Sequence, residues 1–192
     1  MIIFLFCAVS EFCVLLFEQK TEPPRPKQQI AKPISAGPAR SPSVSIITAV
    51  KSRTNKSSDP VANFYSQICH EYDGATENIY VFECDKDPAI PLIRKMIKEF
   101  KGKHDIRIVI SGLATTCSQK IHNMVAGVDA CHPDSKYVYF LDNSTRCLRA
   151  TLSRLVERLE TTNDCLAASG YPLDVVPASG HASAWLMVRC LR

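Results

Sequence analysis

IRIVISGLATTCSQKIHNMVAGV, residues Ile106–Val128, decides the fold. Ile106 to Ile110 sets four β-branched apolar side chains around Arg107, a composition that suits a pleated strand better than a helix. From Ser118 onward Ile121, Met124, Val125 and Val128 recur at three- and four-residue steps, which makes one apolar face of a helix. A strand, a short loop of small polar residues and a helix, in that order, are the repeating piece of a parallel α/β sheet. Ser118 is a good N-cap. Backbone N–H groups at that helix start, with Lys120 within the first turn, would make an anion site, and an ordinary capped helix explains the same residues equally well. His122 reads as a surface histidine before it reads as a base.

The same alternation extends to both sides. Val44–Val50 and Asn78–Glu83 read as strands, with a helix over Asp59–Tyr72 between them. Ile90, Ile93, Met96, Ile97 and Phe100 give an amphipathic helix over Pro88–Lys101, opened by a proline that suits a first turn and closed by Gly102. Tyr137–Leu141 is a further strand, Leu148–Leu159 a further helix and Cys165–Ala168 a short last strand. The expected fold class is therefore α/β, a parallel sheet flanked by helices. Ligands of such sheets gather beyond the carboxyl ends of the strands. Acids stand there: Glu83, Asp85 and Asp87 after the second strand of this series, Asp142 after the fourth, with Lys51 after the first. Two readings apply to them. They are solvated loop residues and helix caps, or they form a carboxylate cluster that holds a hard divalent cation against a diphosphate.

Outside this region the composition changes. Ile2–Phe17 is a run of 16 residues, nearly all apolar, short of the roughly 20 that span a bilayer and interrupted by Glu11. A membrane segment is expected over 1–18; a signal peptide lacks its basic start and its cleavage site. Lys20, Arg25 and Lys27 then place the body in the cytosol. Residues 19–43 hold six prolines and read as a linker, and the body is expected over 44–180. The net charge of +4 is dispersed among acids, which argues against a nucleic-acid partner. Nine cysteines, an odd number scattered singly, fit a reducing setting, and their spacing does not suit structural zinc.

Read together, VSIITAVKS, FECDKDPAI, the Ile106–Val128 stretch, KYVYFLDNSTR and GYPLD resemble, in that order, the ceramide glucosyltransferases, most closely the plant type. The run TTCSQKIHN is the distinctive part. The resemblance implies a GT-A type nucleotide-sugar fold, a UDP-glucose donor, a divalent metal (Mg or Mn), and inverting transfer of glucose to ceramide at the cytosolic face of a Golgi or endoplasmic reticulum membrane. Residue by residue, it assigns Lys51, Glu83, Asp87, Lys120, Asn123 and Arg146 to the nucleotide sugar and Asp142 to the metal. Where the plant type has three consecutive acids, this chain has Asp142-Asn143-Ser144; Ala49 and Ser52 replace a proline and a glycine. The resemblance fades after Asp174, leaving 181–192 as a divergent tail. The family's general base, its Q-x-x-R-W motif and its later membrane helices have no counterpart, so low turnover is expected of this chain alone. A nucleotide-sugar-binding fragment without catalysis and a processive polysaccharide synthase are the competing readings.

Overall fold

The computed structural model describes residues 3–7, 41–51, 60–163 and 165–170. Six strands form one sheet: β1 (Ile3–Cys7), β2 (Val44–Val50), β3 (Thr76–Phe82), β4 (Asp105–Ile110), β5 (Tyr137–Asp142) and β6 (Ala167–Gly170). Their order is β4-β3-β2-β5-β1-β6, and every neighbouring pair runs parallel. Among the described residues four helices lie between β2 and β6: α1 (Pro60–Ile68), α2 (Ile90–Glu99), α3 (Gln119–Asp129) and α4 (Thr151–Thr161). The expected α/β class holds, and a parallel sheet flanked by helices fits a GT-A-like fold.

Strand alternation sorts the core into two faces. Val44, Ile46 and Val50 of β2, Tyr80 and Phe82 of β3, and Tyr137, Tyr139 and Leu141 of β5 point to one face, beneath α1, α2 and α4. Ile47, Ile79, Val81, Val138 and Phe140 point to the other, beneath α3. Gly127 lets α3 lie close to the sheet, since a Cβ there would meet Ile47 Cγ2 at 2.5 Å. The chain steps outward from β2 through β3 to β4, then returns across β2 to β5. The crevice between the ends of β2 and β5 is therefore the switch point at which open α/β sheets bind ligands.

Several boundaries moved: α1 stops at Ile68 short of Tyr72, β3 begins at Thr76 and ends at Phe82, α4 runs Thr151–Thr161 and the last strand Ala167–Gly170. Pro88 lies in the turn before α2; Pro91 occupies the first turn, and the Asp87 carboxylate accepts the Ala89 N–H at 2.9 Å ahead of it. Gly102, at φ +79°, sits just past the helix end as expected. The apolar start departs further. Residues Ile3–Cys7, expected within a membrane segment, form a parallel strand between β5 and β6. A five-residue apolar run suits a fully covered strand as well as part of a helix, and hydrophobicity alone does not separate them. Among the described residues no helix is long and apolar enough to cross a membrane. Residues 8–18, most of the 19–43 linker, and the 171–192 stretch with its tail lie outside the described residues.

Candidate functional site

Three strand ends and the start of α3 build the site. Lys51 stands exposed where β2 ends, and its carbonyl accepts from Asn143 Nδ2 at 3.4 Å across the switch point. Glu83 follows β3 directly and is half-buried. Asp142 ends β5 in register with Ala49. Its Oδ1 lies 2.7 Å from Lys120 Nζ on the first turn of α3. The structure thus joins the residue expected at the diphosphate to the residue expected at the metal. Arg146 is exposed on the loop that leaves β5.

The remaining two expected residues are placed for support. The Asp87 carboxylate helps open α2 through the Ala89 N–H. Asn123 is 3% exposed, and its Oδ1 accepts from Ser111 Oγ at 2.7 Å and Gln119 Nε2 at 2.8 Å, while its Nδ2 donates to the Val81 carbonyl. It ties α3 to the ends of β3 and β4 instead of facing outward. Gln119 also donates to the Gly112 carbonyl and accepts from the Ala114 N–H, both at 2.8 Å. His122 Nε2 lies 3.0 Å from the Ser111 carbonyl, to which it can donate as Nε2–H. Gly112, at φ +78°, supplies the turn these bonds close around. The Ser111–Gln119 loop is therefore a fixed support that aims Lys120. Ser118 caps α3, as expected, by accepting the Ile121 N–H.

A second support was not foreseen. On α1, Gln67 is fully buried and its Nε2 donates to the carbonyls of Asp142 and Thr145, both at 2.9 Å. Its Oε1 accepts from Thr48 Oγ1 of β2 at 3.3 Å. Asn63 Nδ2 donates to the Ser144 carbonyl at 3.2 Å, and Ser66 Oγ accepts the Cys147 N–H at 3.0 Å. One face of α1 therefore clamps the whole loop from Asp142 to Cys147. The signal in sequence was the polar spacing of 63, 66 and 67 on the face shared with buried Phe64 and Ile68.

The model of glycosyl transferase family 21 matches residues 3–175. This chain belongs to that family. It is the ceramide glucosyltransferase family to which the TTCSQKIHN loop pointed, and its members are glycosyltransferases acting between a sugar donor and an acceptor. The match begins at the first residue of β1, so that strand lies within the family region. No curated protein and no solved structure gave a match.

Whether the residues present suit a divalent cation follows from their donor chemistry. Among the described residues no three acid, histidine or cysteine side chains gather as a metal-holding group; of the two readings of Glu83, Asp87 and Asp142, they do not form a three-carboxylate cluster. Asp142 offers one hard carboxylate at the switch point. A single carboxylate suits a cation that takes its other ligands from phosphate oxygens and water, as magnesium commonly does.

Proposed function

We propose that this family 21 chain binds UDP-glucose along the carboxyl ends of β2, β3 and β5 and serves the inverting transfer of glucose to ceramide. The observation that carries the reading is the Lys120–Asp142 pair, set at the switch point by two separate hydrogen-bonded supports. Glu83, directly after β3, and Asp87, in the turn ahead of α2, serve the uridine and ribose. Lys120, Lys51 and Arg146 supply positive charge for the diphosphate, with Lys120 able to reach it from the start of a helix whose dipole favours anions. Asn123 holds the loop from which Lys120 projects. Asp142 would hold a magnesium or manganese ion, which supplies neutralisation of the diphosphate leaving group. The acceptor is met at the cytosolic face of a Golgi or endoplasmic reticulum membrane.

Competition binding with a panel of nucleotide sugars, followed by mass spectrometry of lipid products, tests this. UDP-glucose should outcompete UDP-N-acetylglucosamine and GDP-mannose, and glucosylceramide should be the product. Preference for a guanine nucleotide, or a polysaccharide product, would sink the proposal.

A further inference from the structure

The Lys120–Asp142 pair has a consequence for the order in which cation and diphosphate arrive, and it rests on the reading of this edge as a diphosphate site. We infer that Lys120 is the resident counter-ion of Asp142 and keeps a divalent cation off that carboxylate until a diphosphate draws the ammonium away. Asp142 is the carboxylate at the end of β5, and Lys120 Nζ sits 2.7 Å from its Oδ1. A cation coordinated at that oxygen would lie against an ammonium group, and two like charges at contact distance repel strongly. The other partners of Asp142 do not relieve this: Gln67 and the Thr145 N–H bond its backbone carbonyl, not its carboxylate.

Lys120 can move. Its side chain is 57% exposed against 20% for Asp142, and an ammonium on a four-carbon stem exchanges partners readily. The residues that would have to stay fixed are fixed: α3 is tied down through Asn123 and Gln119, and the Asp142 loop through α1. A diphosphate offers Lys120 more negative charge than one carboxylate does. When Lys120 turns to it, Asp142 is released to share a cation with the same phosphate oxygens. Cation and nucleotide therefore bind as a coupled pair, each raising the other's affinity.

The test uses the full chain and Mn2+ as the probe, followed by electron paramagnetic resonance without nucleotide and then with UDP. Lys120→Met keeps the stem and removes the charge; Lys120→Arg keeps the charge. Without nucleotide, Lys120→Met should bind Mn2+ about tenfold more tightly than the unaltered chain, while Lys120→Arg should not. Asp142→Asn should abolish the gain. UDP should strengthen Mn2+ binding more in the unaltered chain than in Lys120→Met. Equal Mn2+ affinity with and without the Lys120 charge, or no Mn2+ binding in any form, overturns the inference. Failure of UDP to bind in any form overturns the donor-site reading instead, and leaves the nucleotide-free comparison to decide the role of Lys120.

Discussion

Replacing Gln67 by leucine tests the unforeseen support beneath the site. Leucine fills nearly the same volume, so what is lost is polar: two donated bonds, to the Asp142 and Thr145 carbonyls, and the acceptor for Thr48 Oγ1. Each intact bond contributes about 1 kcal/mol net, and an acceptor stranded in the interior costs about 1–3 kcal/mol. With part of that cost relieved by water at the loop, Gln67→Leu should destabilise the fold by about 2–4 kcal/mol, roughly 5–15 °C in Tm for a chain of this size. Urea denaturation and thermal melts read the loss, and UDP titration reads its consequence, since the loop that carries Asp142 loses its anchor. Gln67→Glu sharpens the result. It preserves shape and the Thr48 contact but sets an oxygen against two carbonyl oxygens, so it should be at least as damaging at neutral pH. A Gln67→Leu variant within about 0.5 kcal/mol of the parent, binding UDP equally well, would refute the clamp.

Other consequences lie away from the site. Glu77 is 6% exposed and accepts from Ser45 Oγ, from Arg107 and from the His132 N–H. Glu77→Ala should cost about 3 kcal/mol by urea denaturation, and Glu77→Met with Arg107→Met should recover most of it, because removing both charges leaves neither stranded. Burial lowers His70 to about 4, with the nearby His104 adding to the effect. The unfolded chain takes up that proton first, so stability should be full above about pH 6.5 and fall by up to about 3 kcal/mol as pH drops to 4. Burial raises the Asp105 carboxyl and works in the opposite sense at the acid end, so the comparison is with His70→Phe, which should lack the decline between pH 6.5 and 4.

The sheet was legible because β-branched runs and helical spacing report local geometry directly. Val44–Val50 matched to the residue, and Ser118 was read as the cap of α3 from its type and place alone. Asp142 and Lys51 were found by a rule of topology, that strand ends gather ligands, and both stand at the switch point. What was not legible shares a cause. Whether Ile3–Cys7 is strand or membrane segment depends on what pairs with it, and β5 and β6 lie more than a hundred residues away. The roles of Asn123 and Gln67 depend on which way a polar side chain on a packed helix turns, and here both turn inward to carbonyls at strand ends. The pairing of Lys120 with Asp142 needs a tertiary approach between α3 and β5 that no local pattern encodes.

The most direct test of the donor site is a UDP titration of isotope-labelled chain followed by amide and side-chain NMR. Shifts concentrated at Lys51, Glu83, Lys120, Asp142 and Arg146, with little change at the opposite strand ends near Glu77 and Arg107, are the predicted result. Absence of binding, or shifts gathered away from the carboxyl ends of β2, β3 and β5, would contradict it.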